Sequence, residues 1–212
     1  WMDNKPHRLL DHYRFLQVRW GLDSLPMTEL MTAMINEQDG VVMRNETELF
    51  QYCHGVAGTI GLMTCPIFGV TDELALQHAD DLGIAMQLTN ICRDVFEDAE
   101  NNRIYLPVDH FKSPPSPSDI LQNKSSRCIN EIIGVKNKIL EEADRRYASA
   151  EKGITYLPWR MRIVVRWASR MYREIGELIK DDPKLYHEKR AVVSGWKKLG
   201  ILIPSAGKSF FT

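Results

Sequence analysis

Apolar residues recur three and four positions apart along nearly the whole chain, the spacing of amphipathic helices. No stretch alternates β-branched and polar residues long enough to form a sheet. The pattern predicts an all-α chain. Helices are expected over 27–38, 46–63, 72–100, 119–152 and 158–180, with a short terminal one at 191–199. Breaks fall at Asp39-Gly40, at "CPIFG", after "AENNR", and at "SPPSPSD", where Ser118 or Asp119 is read as an N-cap. Residues 1–26 read as the remainder of an earlier helix plus a loop. There is no internal repeat, and "KSPPSPSD" is too short for an interdomain linker, so residues 1–212 are read as one domain.

Composition changes this picture little. The 212 residues carry a formal charge of −1 and are 44 % hydrophobic, ordinary values for one domain with its own core. Bulk charge gives no reason to expect a nucleic-acid partner. Cys53, Cys65, Cys92 and Cys128 lie far apart, without CxxC spacing or paired histidines, which argues against a zinc site or a disulfide framework and for a reducing compartment. No uninterrupted apolar run reaches about 18 residues, and "WMDNKPHRLL" is not a secretory signal. The opening on Trp1 rather than Met is read as the start of a fragment.

One stretch carries chemistry: "QLTNICRDVFEDAENNRIYLP", from Gln87 to Pro107. On a helix, Gln87, Asn90, Asp94 and Asp98 project within an arc of roughly 80°, beside the apolar stripe Ile84, Leu88, Ile91 and Val95. Two carboxylates and an amide oxygen on successive turns suit a hard cation such as Mg²⁺, and Arg93 and Arg103 could hold phosphate oxygens. A solvated helix face with an Arg93/Glu97 pair four residues apart is the other reading, and the residues alone leave both open. Similarly, Gly55, Gly58 and Gly61 in "GVAGTIG" share one face, suited either to close helix packing or to lining a cavity. Tyr52 is either pocket wall or core.

The segments "YCHGVAGTIGLMTCPIFG" from Tyr52 and "ADDLGIAMQLTNICRDVFEDAENNRIYLP" from Ala79 resemble the squalene/phytoene synthase family of head-to-head prenyl transferases. The likeness runs from about Thr28 to Leu199, includes "MYREIG" and "RAVVSGWKKL", and leans toward phytoene or dehydrosqualene synthase. It implies an isoprenoid-synthase helical fold around a central apolar cavity, N-terminally truncated here. It also implies Mg²⁺, with Mn²⁺ as an alternative, and two prenyl diphosphates, C20 or C15, condensed to a carotenoid precursor. Asn90, Asp94 and Asp98 would be metal ligands, the two aspartates catalytic. Gln87, Arg93, Arg103, Tyr105, Tyr52, Glu37 and Arg190 would bind substrate, Glu37 standing where the family usually has an aspartate.

The family's first aspartate-rich motif is not found: residues 1–26 offer only Asp3, Asp11 and Asp23, with no pair four apart. Missing N-terminal helices, a second polypeptide supplying them, or a degenerate member that has lost catalysis would each explain this. Two functional classes follow: a phytoene-synthase-like transferase, or an inactive relative acting as an assembly scaffold. A partner chain covering the missing helices is one expectation. Another is peripheral membrane contact through the arginine-rich helix "LPWRMRIVVRWASRMYREIG", in a cytoplasmic or organelle-interior setting.

Overall fold

A computed structural model of the chain describes residues 8–38, 40–122, 126–183, 190–198 and 200–201. Helices α1 (Arg8–Trp20) and α2 (Leu25–Asn36) are followed by a two-residue strand, β1 (Val41–Val42). Helix α3 (Glu46–Cys53) passes through a single π turn, His54–Gly58, into α4 (Thr59–Ile67). Then come α5 (Glu73–Arg93), α6 (Val95–Glu100), β2 (Arg103–Ile104), α7 (Pro117–Leu121), α8 (Ser126–Gly153) and α9 (Trp159–Asp181).

The expected helices are present with local differences. Asn45 caps α3 by accepting from the Glu48 amide at 3.0 Å, and Asp72 caps α5 by accepting from the Leu74 and Ala75 amides. The helix expected over 119–152 is instead two elements, α7 and α8, and the first starts earlier: Ser116, not Ser118 or Asp119, is its N-cap, in a reciprocal capping box with Asp119. The expected absence of strands needs one correction. β1 and β2 pair in parallel, Val41 with Arg103 and Val42 with Ile104.

The core is the seam between α5 and α8. The predicted stripe is buried on the α5 side: Leu88 at 0 %, Ile91 at 2 %, Ile84 at 4 % and Val95 at 6 % exposure. From α8 it meets Ile132, Val135, Ile139, Leu140 and Ala143. Thr89 and Tyr147, both buried in this seam, satisfy each other's hydroxyls at 3.0 Å. α3 to α4 lies across α5, and α2 lies outermost on the π turn and α4.

The glycines explain how these layers come so close. A Cβ on Gly61 would lie 2.6 Å from the Ala79 carbonyl oxygen of α5, and one on Gly83 of α5 only 2.4 Å from that of Ala57. On the outer side, a Gly55 Cβ would touch that of Ala33 at 2.9 Å. Gly61 therefore serves backbone-to-backbone packing rather than a cavity wall, and Gly58 makes room for the Asp80 carboxylate, which an added Cβ would meet at 1.8 Å. Gly55 does both, since it also borders the cleft described below.

Candidate functional site

The polar arc sits where α5 ends. Asp94 takes φ −105°, ψ 16°, so the helix expected over 72–100 is two segments meeting at the first aspartate. Its one-turn spacing survives, because the Asp94 amide still donates to the Asn90 carbonyl at 2.9 Å and the Asp98 amide to that of Asp94 at 2.8 Å. The arc is not a solvated face: the Arg93 and Asp94 side chains are only 14 % and 16 % exposed. Arg93 donates to Asp94 through Nε at 2.8 Å and Nη2 at 2.6 Å instead of pairing with Glu97. Arg190 also reaches Asp94, Nε to Oδ1 at 3.0 Å, and faces Glu97 at 3.4 Å.

Two observations set the arc apart chemically. Burial, then the nearby charges of Asp94 and Glu97, push the Asp98 carboxyl up to about 7, against the opposing pull of Arg103. Asn90 donates to Gln87 Oε1 at 3.4 Å, but its own Oδ1 is buried and accepts no hydrogen bond. No three His, Cys, Asp or Glu side chains among the described residues are grouped to hold a metal ion. The donor set of the arc is two carboxylates and an amide.

The β1–β2 ladder brings a second set of residues beside it. Asn102 at φ 57° turns the chain out of α6, a left-handed conformation that asparagine tolerates, and delivers Arg103 and Tyr105 against the end of α2. Tyr105 donates a short hydrogen bond to Glu37 Oε1, and Arg103 Nη1 lies 3.0 Å from the same oxygen. The Tyr52 ring stacks on Tyr105 with centroids 4.9 Å apart. Burial raises both phenols, Tyr52 to about 12, so both are neutral donors at physiological pH.

A cleft of about 1000 Å³ opens between α2, α3, the π turn and the middle of α5, lined by Thr28, Glu29, Ala33, Glu37, Tyr52 and His54 among others. Of the expected site residues only Glu37 and Tyr52 line it. Asp98 borders a separate narrow crevice with Arg103 and Tyr105, and Tyr105 connects the two by stacking on Tyr52. Thus Glu37, Tyr52, Arg103, Tyr105, Asp98, Asp94, Arg93 and Arg190 form one continuous chain of contacts, and Asn90 and Gln87 lie one and two turns back from Asp94 on α5.

Sequence reasoning missed the residues at the cleft's other end. His54 Nδ1 lies 2.7 Å from Asp80 Oδ1, and its Nε2 lies 3.4 Å from Glu29 Oε2. Arg146 of α8 also faces the cleft, 5.1 Å from the Phe50 ring centroid and 2.8 Å from Asp81. A signal was present: Asp80 lies seven residues before Gln87, on the same helical face as the polar arc.

Comparison with known proteins gives this arrangement a context. The squalene/phytoene synthase family model matches residues 3–197. The chain belongs to the squalene/phytoene synthase family. It is 35 % identical over 162 residues to a 15-cis-phytoene synthase of Enterobacter agglomerans, covering 76 % of this chain and 54 % of that protein. It is 36 % identical over 199 residues to the chloroplastic phytoene synthase 1 of Zea mays, covering 90 % and 48 %. The chain thus spans about half the length of these relatives. The fold is shared with a solved dehydrosqualene synthase, at TM-score 0.72 and 22 % identity, over 91 % of this chain and 67 % of that one. It is also shared with a squalene synthase from Alicyclobacillus acidocaldarius, at TM-score 0.67 and 21 % identity, over 84 % and 65 %. The isoprenoid-synthase helical architecture expected from the family resemblance is therefore the observed one.

Proposed function

We propose that the end of α5 binds a divalent cation, Mg²⁺ or Mn²⁺, together with the diphosphate of a prenyl substrate. The whole protein would then condense two such substrates, C20 or C15, head to head to a carotenoid precursor. The observation that carries the reading is Asn90 Oδ1, buried with no donor, on the same helical face as two partly buried carboxylates. An oxygen acceptor set of that kind fits a hard cation, and the crowding that holds Asp98 near 7 is what a bound positive charge relieves. Asn90, Asp94 and Asp98 would hold the ion.

A cation there supplies Lewis-acid neutralisation of the leaving diphosphate. This chain's own groups do the rest. Arg93 and Arg190, now on Asp94, would turn their donors to the phosphate oxygens. Arg103, Tyr105 and Gln87 would orient the head group, with Glu37 fixing Arg103 and Tyr105. Loss of diphosphate would leave an allylic cation, the double bond of the second prenyl substrate would attack it to form the new carbon–carbon bond, and release of one proton would close the cyclopropyl ring of an intermediate that keeps the second diphosphate. The apolar part of the cleft, from Phe50, Tyr52 and Ile84, would exclude water from that cation.

A second reading, an inactive assembly factor, is favoured by one observation: both Asp94 oxygens are already taken by arginines. Calorimetry with a non-hydrolysable farnesyl diphosphate analogue and Mg²⁺ separates them. Asp94→Asn and Asp98→Asn are expected to lower affinity at least about tenfold, with unchanged far-UV circular dichroism. Equal affinity in wild type and both variants refutes the cation site and leaves the assembly reading.

A further inference from the structure

α2 forms the outer wall of the cleft, yet it buries only Pro26 and keeps Met31, Met34 and Ile35 more than half exposed. Little hydrophobic burial holds it, so polar contacts must set its position. Glu29, Ala33 and Glu37 follow one another at every fourth residue, on one face. Ala33 rests on Gly55, Glu37 is held by Tyr105 and Arg103, and Glu29 meets His54. His54 opens the π turn, a local irregularity that frequently marks functional sites.

We propose that His54 is a positioning residue: as an imidazolium bridging Asp80 of α5 and Glu29 of α2, it sets α2 against α5 and so sets Glu37 at the diphosphate site. This rests, for Glu37, on the diphosphate reading above. Carboxylates only accept, so a ring whose two nitrogens both face carboxylates is satisfied when both carry protons. The bridge spans two helices that otherwise meet through the π turn. A neutral imidazole can donate to one acid alone, which leaves the other without its partner. Burial opposes the charge on His54, but the hydrogen bonds and charges of Asp80 and Glu29 outweigh it and raise the pKa above the usual value. The other charged groups of the cleft are engaged elsewhere: Arg146 with Asp81 and Glu142, Glu48 with Arg44, Glu37 with Arg103. For a raised imidazole the linkage is present below the unfolded value of 6.5 and is lost as pH rises through the folded one.

The test is hydrogen exchange of the 29–37 amides between roughly pH 6 and pH 9, corrected for intrinsic exchange, with α5 and α8 as internal controls. Protection of α2 in the wild type is expected to fall about fivefold across that range while the controls hold. In His54→Gln it should be low and flat with pH, and Glu29→Gln should lose it even though the Asp80 contact remains. Flat wild-type protection, or wild-type protection in either variant, overturns the proposal. Affinity for the farnesyl diphosphate analogue with Mg²⁺, measured in parallel, isolates the other premise. A pH-dependent α2 with no analogue binding upholds the bridge and rejects the diphosphate site. Binding with flat α2 exchange does the reverse.

Discussion

Asp98 shows how one residue reports both the fold and the site. Its carboxyl ionises near 3.8 in an unfolded chain and at about 7 in the folded one, because it is part-buried beside Asp94 and Glu97. Between those values the folded state keeps a proton that the unfolded state releases, so Asp98's contribution is complete below 3.8 and declines as pH rises to about 7. Asp98→Asn is therefore expected to stabilise the ligand-free protein above pH 7, by about 1–2 kcal/mol after allowance for solvent screening, and to change little at the acid end. Urea denaturation across that window measures it. If the cation reading holds, Mg²⁺ with the diphosphate analogue should also release about half a proton at pH 7, rising toward about one as pH falls by a unit, seen as a buffer-dependent binding enthalpy. The acid and amide types at Asn90, Asp94 and Asp98 were legible in the sequence, but Asp98's unusual ionisation was not, since its largest cause is burial, which the packing of other segments decides.

At the scale of the elements, the glycines divide cleanly by what surrounds them. Gly61 and Gly83 face carbonyl oxygens of the opposing helix, atoms that cannot swing away. Gly61→Ala or Gly83→Ala should destabilise by about 2–3 kcal/mol, the first by prising α4 and the second by prising the π turn from α5. Gly134 lies exposed in α8 with nothing within 4 Å of an added Cβ, so Gly134→Ala should stabilise by about 0.5–1 kcal/mol. Thermal melts of the three variants check both signs. The helices themselves were readable because three-and-four periodicity and caps are local properties. The interruption at Asp94, the π turn at His54 and the β1–β2 pairing were not. Each depends on where a segment is pressed by another that lies far away in the chain.

At the scale of the whole molecule, α1 and α2 each leave large apolar side chains in the open. Val18 is 89 % exposed, Leu9 71 % and Phe15 63 % on α1, and Met31, Met34 and Ile35 are more than half exposed on α2. This chain is expected to bind a hydrophobic dye and to scatter more light as its concentration rises. Substituting Phe15 and Val18 by serine should reduce both without altering α5–α8 stability. Peripheral membrane contact through α9 would involve Trp159 and Val164, which are 49 % and 56 % exposed beside its arginines, and vesicle co-sedimentation measures it. Among the described residues no helix is long and apolar enough to cross a membrane.

The chain's own residue order determined the all-α class, most helix positions, the buried stripe of α5 and the polar arc beside it. These follow from side-chain periodicity along one segment. The resemblance of two quoted stretches to a prenyl-transferase family likewise needed no coordinates. Tertiary structure alone decided that Glu37 meets Arg103 and Tyr105, and that Gly61 and Gly83 let segments pack closely while Gly55 also borders the cleft. It also decided that His54, overlooked in the sequence, joins α2 to α5. Those relations link residues 18 to 68 positions apart, and only the packing of one segment on another brings them together.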